Sequence, residues 1–162
     1  MGTVKVYNNF FEEDFINFLN NYFLSLPHYY GHSSAKGNDF FYVTNLNIQD
    51  PLISFLINKI VNKIKKNLDI LRIYINIQHK EMDGGFHQDD GDETYLIMVS
   101  KTLDEKSGEF QIINENNELN TFNFVQNKML VFPAKLRHRG MAPKERNTPR
   151  ITLLLKTKNI NE

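Results

Sequence analysis

The sequence predicts a mainly β domain of the α+β class, a double-stranded β-helix (jelly roll) of about eight strands with two N-terminal helices packed on one sheet. Two observations support this fold class. In the first third of the chain apolar residues recur every three or four positions, which is the period of an amphipathic helix. From Leu71 onward the period changes to two, and turn-forming residues separate short runs, as in an antiparallel β protein.

The first helix is predicted over residues 11–26. Asn9 followed by Glu12 resembles a capping box, and Pro27 ends the pattern. The apolar face consists of Phe11, Phe15, Phe18, Leu19, Tyr22, Phe23 and Leu26.

The second helix has stronger end signals. Asp50 is the predicted N-cap and Pro51 the first helical residue, and lysines occupy the last turn, where they complement the helix dipole. Between the helices, residues 27–39 are rich in Gly, Ser and Asn and predict a loop, either an ordinary surface loop or a lid over a site. A short aromatic strand, FFYVT, follows this loop.

The period-two region predicts the jelly-roll core. The expected strands are 71–79, 85–89, 94–101, 108–113, 119–125, 128–133, 136–140 and 149–157. We therefore predict one domain over residues 1–162, in which residues 1–68 form a helical support and lid region and residues 69–158 form the jelly-roll core.

Composition excludes several classes of function. The 162 residues include 19 Lys plus Arg and 19 Asp plus Glu, and this balance argues against a dedicated polyanion-binding or membrane-surface protein. There is no cysteine, so a disulfide framework, a thiolate metal site and a cysteine nucleophile are excluded. No apolar run is long enough for a membrane span and no signal peptide precedes the domain, so we expect a soluble cytoplasmic protein.

The strand at 71–79 alternates two kinds of side chain. Isoleucines at 73, 75 and 77 face one side, and Arg72, Tyr74, Asn76 and Gln78 face the other. The polar face is either solvated or lines a pocket inside the sandwich.

The motif that follows this strand suggests a metal site. His87 and Asp89 are two residues apart, so they project from one face of an extended segment. Downstream, the chain offers His138, and then Arg150 and Thr152 on one face of the last strand. Two neutral imidazoles and one carboxylate on one face of an octahedral ion are typical of non-heme iron(II).

These elements together resemble the iron(II)- and 2-oxoglutarate-dependent oxygenases, in particular the prolyl 4-hydroxylase-like branch with its small phage and bacterial members. The resemblance covers about residues 71–156 and includes the HxD motif, the Gly108–Phe110 strand, the F-P…H-R-G turn and the Arg150 strand. It implies that His87, Asp89 and His138 bind iron(II).

The resemblance also implies a co-substrate and a reaction. The iron would bind 2-oxoglutarate, whose distal carboxylate pairs with Arg150 and receives a hydrogen bond from Thr152. Dioxygen and 2-oxoglutarate are consumed, succinate and carbon dioxide are released, and an unactivated C–H of a peptidyl proline or a small molecule is hydroxylated. Ascorbate is an expected reductant, and the cytoplasm of a bacterium or a phage-infected host is the expected location.

The sequence departs from the family in two places. Many prolyl 4-hydroxylase-like proteins use Lys where this chain has Arg150, and they have a Tyr nine or ten residues before the first metal His, where this chain has Ile77 and Gln78. By strand parity we take Tyr74, Asn76 and Gln78 as further candidate cofactor-binding residues.

Two alternatives remain at this point. A catalytically silent jelly-roll module would need none of the four residues His87, Asp89, His138 and Arg150. A nucleic-acid-modifying oxygenase of the same superfamily is disfavoured because no second Arg follows Arg150. The basic segment 134–146 is a solvated loop or a rim that attracts an anion. We expect a monomer or a weak homodimer.

Overall fold

The computed structural model describes residues 3–35 and 40–160. Ten strands and two helices occur within them. In chain order they are β1 (Lys5–Tyr7), α1 (Glu13–Ser25), β2 (Tyr29–His32), β3 (Phe41–Asn45), α2 (Pro51–Ile64), β4 (Asp69–Gln78), β5 (Glu93–Met98), β6 (Phe110–Ile113), β7 (Leu119–Phe122), β8 (Met129–Pro133), β9 (Arg137–Gly140) and β10 (Arg150–Lys158).

The strands form two antiparallel sheets that face each other. The larger sheet has the order β1-β8-β5-β10-β4-β3-β2, and the smaller has the order β7-β6-β9. One apolar cluster packs between them. It contains Tyr74, Leu96, Met98, Leu103, Phe110, Ile112, Phe124, Leu130, Phe132 and Leu154. This arrangement confirms the predicted jelly roll.

Both helices pack on the outer face of the larger sheet, as predicted. Leu19 and Phe23 of α1 and Leu56 and Ile60 of α2 are fully buried. They join a second apolar cluster with Ile73, Ile75 and Ile77 of β4 and Ile151, Leu153 and Leu155 of β10. Because side chains alternate along a strand, β4 supplies isoleucines and β10 supplies isoleucine and leucines to this outer core, and each strand presents a different set of side chains to the interior.

The structure confirms the predicted N-terminal cap of one helix and contradicts that of the other. The Asp50 carboxylate accepts hydrogen bonds from the amides of Leu52 and Ile53, which confirms the predicted cap of α2. The predicted capping box of α1 is wrong. Glu12, not Asn9, is the N-cap, its side chain makes no capping bond, and it pairs instead with Lys59 of α2 at 3.1 Å.

Other differences concern the strands. Seven of the eight strands predicted from Leu71 onward are present, with ends within three residues of the prediction. The strand expected at 85–89 is reduced to one residue pair between His87 and His138. Strands β1 and β2 were not predicted, and β2 lies inside the expected loop 27–39. Residues 36–39 of that loop lie outside the described residues.

Local physical features explain why β1 and β2 were not predicted. β1 has only three residues, too few for an alternating pattern. Strand β2 is an edge strand with exposed tyrosines, and Gly31 at φ 113 interrupts its register with β3. No helix of the described residues is both long and apolar enough to cross a membrane.

Asn127 connects the N-terminal segment to the larger sheet. Its amide oxygen accepts a hydrogen bond from the Phe11 amide at 2.8 Å, and its amide nitrogen donates to the Phe11 carbonyl at 2.7 Å. Asn127 is buried and lies at φ 67, a backbone region that asparagine tolerates better than most residues.

Replacing Asn127 should destabilise the fold. Asn127→Ala leaves two buried backbone groups of Phe11 unpaired and strains the left-handed backbone, so we expect a loss of about 2–4 kcal/mol in the free energy of unfolding. Asn127→Gly should lose less, since glycine accepts this φ. Urea unfolding measures both, with the exposed Asn123→Ala as control, and equal stability of Asn127→Ala and wild type would contradict the assignment.

Candidate metal centre

A cavity of about 170 Å³ lies between the two sheets. Its floor is the inner face of β4 and β10, which pair in antiparallel register. The inward pairs are Arg150 with Gln78, Thr152 with Asn76, Leu154 with Tyr74, and Lys156 with Arg72. The polar face of β4 therefore lines a pocket and is not simply solvated.

Backbone pairing brings His87 and His138 together from 51 positions apart. The His87 amide donates to the His138 carbonyl at 3.0 Å, and the His138 amide donates to the His87 carbonyl at 2.9 Å. Directly opposite residues of an antiparallel pair project their side chains from the same face. The two imidazole centroids consequently lie 4.4 Å apart.

Each ring is oriented by a backbone carbonyl two residues earlier in the chain. Nδ1 of His87 lies 2.9 Å from the Gly85 oxygen, and Nδ1 of His138 lies 2.8 Å from the Leu136 oxygen. Because a carbonyl oxygen can only accept, each Nδ1 must carry the proton. The Nε2 atoms of the neutral rings are then free to act as electron-pair donors, as metal ligands require.

Asp89 completes the cluster. Its Oδ1 lies 3.6 Å from Nε2 of His87, and its Oδ2 lies 3.3 Å from Nε2 of His138. One ligand atom from each of the three residues falls within 4.8 Å of the others. Thr94 donates a hydrogen bond to Asp89 Oδ2 at 2.8 Å, which fixes the orientation of the carboxylate.

The polar atoms of this cluster fit a divalent cation. Nε2 of His138 is buried and has no hydrogen-bond partner within the described residues, and the buried Oδ1 of Asp89 has the Lys156 ammonium beside it at 2.9 Å. Unprotonated imidazole nitrogen and carboxylate oxygen are both electron-rich, so their close approach is unfavourable unless a cation lies between them. Two nitrogens and one oxygen from one side match the ligand set of iron(II).

The protonation states also suit metal binding. Burial and the neighbouring His138 lower the pKa of His87, which favours its neutral form. Burial by itself would raise the pKa of Asp89, but the positive charges that His138, in its protonated form, and Lys156 provide outweigh burial and hold that pKa well below its usual range. Near neutral pH the cluster therefore offers neutral imidazole and an ionised carboxylate.

Arg150 lies at one end of the same cavity. Its Nε donates to the Gly108 carbonyl at 2.8 Å and its Nη1 to Gln78 Oε1 at 2.7 Å, whereas its Nη2 is buried and has no partner within the described residues. Burial lowers the pKa of Arg150 to about 9, so the guanidinium remains charged at neutral pH. A buried cation with a free donor is a strong binding site for a carboxylate.

Gly140 makes room for this guanidinium. A Cβ on Gly140 would lie 2.9 Å from Nη1 of Arg150 and 3.0 Å from Nη2. Any larger residue at this position would displace the Arg150 guanidinium. The H-R-G sequence at the end of β9 therefore serves both His138 and Arg150.

The other predicted residues also line the cavity, but their roles differ. Gln78 holds Arg150 in place and donates through Nε2 to the carbonyls of Met82 and Gly140. Thr152 and Tyr74 are buried in the cavity wall, and burial raises the pKa of Tyr74, so its phenol stays protonated. Asn76 presents a buried Oδ1 without a partner in the described part of the chain.

Sequence reasoning missed two residues of the site. Thr94 orients Asp89, and Lys156 lies with its Nζ 2.9 Å from Asp89 Oδ1. Lys156 was detectable, because it shares the strand parity of Arg150 and Thr152. Thr94 carried no comparable signal, since its contact depends on how β5 packs against the HxD segment.

The basic segment is only partly a free rim. Lys135 donates to the Asp89 carbonyl at 3.1 Å, and Arg139 donates to Gln111 Oε1 at 2.8 Å and stacks over Phe86 at 4.3 Å. These two side chains therefore support the site from outside the cavity.

The fold is shared with oxygenases of known structure. No protein-family model and no curated protein sequence matches the chain. An oxidoreductase of the 2OG-Fe(II) oxygenase family from Burkholderia pseudomallei superposes with a TM-score of 0.77 at 16% identity, over 99% of this chain and 86% of that one.

Two prolyl hydroxylases of known structure are also similar in fold to this chain. The prolyl 4-hydroxylase of Pseudomonas putida has a TM-score of 0.76 at 8% identity, over 96% of this chain and 92% of that one. The Trichoplax adhaerens prolyl hydroxylase, solved with a hypoxia inducible factor peptide fragment, has a TM-score of 0.77 at 12% identity, over 96% and 83%. The chain thus has the fold predicted from the resemblance.

Manganese(II), a redox-stable substitute for iron(II), should bind this cluster. We expect Mn(II) to raise the melting temperature of the wild type, because a ligand that binds only the folded state stabilises it. Asp89→Asn should abolish this rise, whereas Asp90→Asn, which removes the same charge at the next and exposed position, should retain it. Thr94→Val should weaken Mn(II) binding by about 10–100-fold. Equal shifts for both aspartate variants would show that the metal binds elsewhere.

Proposed function

We propose that the protein is an iron(II)- and 2-oxoglutarate-dependent dioxygenase that hydroxylates an unactivated C–H and releases succinate and carbon dioxide. The observation that carries the proposal is the placement of the free Nη2 of Arg150 in the same cavity as the N,N,O cluster. A metal site alone fits many functions, but a metal beside a buried guanidinium fits a ligand that is both a chelator and a carboxylate.

His87, Asp89 and His138 would hold iron(II), which when bound activates dioxygen and binds the keto acid end of 2-oxoglutarate. Arg150 would bind the distal carboxylate through Nη2, while Gln78 and Gly108 keep the guanidinium from rotating. The hydroxyl of Thr152 and the amide of Asn76 face each other across β10 and β4, and would bind the chain of the co-substrate between these ends.

The protein also excludes water from the reacting centre. Phe110 and Phe132 pack against the His138 ring with centroid distances of 5.7 and 4.8 Å. An apolar wall on this side lowers the local dielectric, which strengthens the pairing of Arg150 with a carboxylate.

Charge balance supports a dianionic co-substrate. Iron(II) and Asp89 together carry one positive charge, and 2-oxoglutarate and Arg150 together carry one negative charge. These four charges sum to zero when metal and co-substrate are bound, which reduces the cost of burying each of them.

A catalytically silent module is the less favourable interpretation. Such a module would not need to keep Arg150 charged, buried and incompletely paired, because this arrangement costs folding free energy unless a ligand compensates for it. Ascorbate as reductant, a cytoplasmic location and a monomer or weak homodimer remain predictions. A peptidyl proline and a small molecule remain the alternative substrates.

The enzymatic activity is tested by measuring succinate. We expect the wild type to form succinate from 2-oxoglutarate in the presence of iron(II), even without a primary substrate, and His87→Ala to form none. The matched control is His79→Ala, since His79 lies outside the metal cluster. Iron-independent succinate formation, or equal activity of His87→Ala, would refute the proposal.

The anchor is tested by binding. Arg150→Met should weaken the binding of N-oxalylglycine, a non-reactive analogue of 2-oxoglutarate, by about 10–100-fold, because a charged hydrogen-bonded pair is lost. Mn(II) affinity should change little, and Arg150→Lys should restore part of the analogue binding. Isothermal titration calorimetry measures all three; a parallel loss of metal and analogue would mean that Arg150 supports the metal cluster instead.

A further inference from the structure

Two cations face each other at the end of the cavity opposite Arg150. Arg72 of β4 and Lys156 of β10 are direct cross-strand partners, and both side chains line the cavity. Six residues separate Lys156 from Arg150 along β10, so the two ends of the cavity floor are about 20 Å apart. The metal cluster reaches this end as well, because Lys156 Nζ lies 2.9 Å from Asp89 Oδ1.

Like charges directly opposite each other on a sheet are destabilising. The Tyr74 ring relieves part of this repulsion, with the Arg72 guanidinium 4.2 Å and Lys156 Nζ 5.6 Å from its centroid. Arg72 also donates from Nε to the neutral side chain of Asn45 at 3.0 Å. Over residues 3–35 and 40–160, however, no carboxylate lies within ion-pair distance of Arg72.

The charges around the cavity do not balance without a further anion. Arg72, Arg150 and Lys156 line it with three positive charges, and Asp89 and Asp90 supply two negative charges. A divalent metal and the 2-oxoglutarate dianion cancel each other, so one positive charge remains. It belongs to the end formed by Arg72 and Lys156, since Arg150 is paired with the co-substrate.

His32 also lines the cavity. Burial first, and then the charges of Arg72 and Lys156, lower the pKa of His32, which favours its neutral form. Ser33 and Ser34 also line the cavity. The end formed by Arg72 and Lys156 is cationic, and both side chains can donate hydrogen bonds.

We propose that Arg72 and Lys156 form an oxyanion subsite that binds an acidic group, a carboxylate or a phosphate, of the primary substrate. Arg72 presents the planar fork that pairs with two oxygens, and Lys156 adds a point charge beside the metal cluster. The inference rests on the proposed function and narrows it, because it selects acidic substrates over neutral ones. Arg72 and Lys156 are thus specificity-determining residues.

Binding of simple oxyanions tests the subsite without turnover. The protein is loaded with Zn(II), which is diamagnetic, and saturated with N-oxalylglycine so that Arg150 is occupied. Acetate and inorganic phosphate are then titrated separately while NMR follows the Arg72 Nε–H and the backbone amides of residues 71–73 and 155–157. We expect a saturable shift with at least one anion and none with acetamide, the neutral analogue of acetate. The stronger of the two anions identifies the acidic group.

Substitutions identify the residues that bind the oxyanion. Arg72→Gln and Lys156→Met should each weaken oxyanion binding by about tenfold, as expected for the loss of one charged contact, while N-oxalylglycine still binds. Lys158→Met is the matched control, because it removes an exposed lysine from the same strand. Its oxyanion affinity should equal that of the wild type.

Three binding results would overturn the subsite. They are the absence of a saturable shift up to ~100 mM anion, displacement of N-oxalylglycine by the anion, and equal weakening by Lys158→Met. Failure of the proposed function is distinguishable, because it appears as absent succinate formation or absent N-oxalylglycine binding in the untreated wild type. A primary substrate without an acidic group, turned over equally by wild type and Lys156→Met, would also refute the assignment.

Discussion

The pair of backbone hydrogen bonds between His87 and His138 is the constraint on which the metal cluster depends. It links the segment after β4 to the smaller sheet and sets the distance between the two imidazole rings. The carbonyls of Gly85 and Leu136 then select the tautomer of each ring. Because these contacts are made by the backbone, the ring positions follow from sheet geometry and not from flexible side-chain packing.

Strand pairing also determines which side chains form the cavity floor. β4 and β10 lie at the centre of the larger sheet, so both of their faces are covered. The outer face buries isoleucine and leucine under the helices, which supplies apolar burial for the fold. The inner face carries polar and charged side chains at matched register, which serve the site. One pair of strands thus combines stabilisation on one side with chemistry on the other.

Burial of charge links stability to function in this site. Arg150 and Asp89 are both almost fully buried; Nη2 of Arg150 has no partner among the described residues, and the Asp89 carboxylate lies beside the unpartnered Nε2 of His138. Such groups cost free energy in the folded state, and ligands of opposite charge recover it. The proposed iron, co-substrate and substrate would therefore stabilise the protein as they bind. For the primary substrate, this stabilisation would come from pairing of its acidic group with Arg72 and Lys156.

The fold class, both helices, most core strands and the chemical character of the site could be predicted from the amino-acid sequence. Period-two alternation and HxD spacing are local properties, so they identified the inward face of β4 and the candidate ligands His87 and Asp89. Association of these residues with His138 and Arg150 rested on the resemblance. Three features required the three-dimensional structure: the 85–89 segment contributes one residue pair, Gln78 holds Arg150, and Thr94 and Lys156 contact Asp89. Those contacts join residues distant in sequence through strand register and packing, which no local pattern encodes.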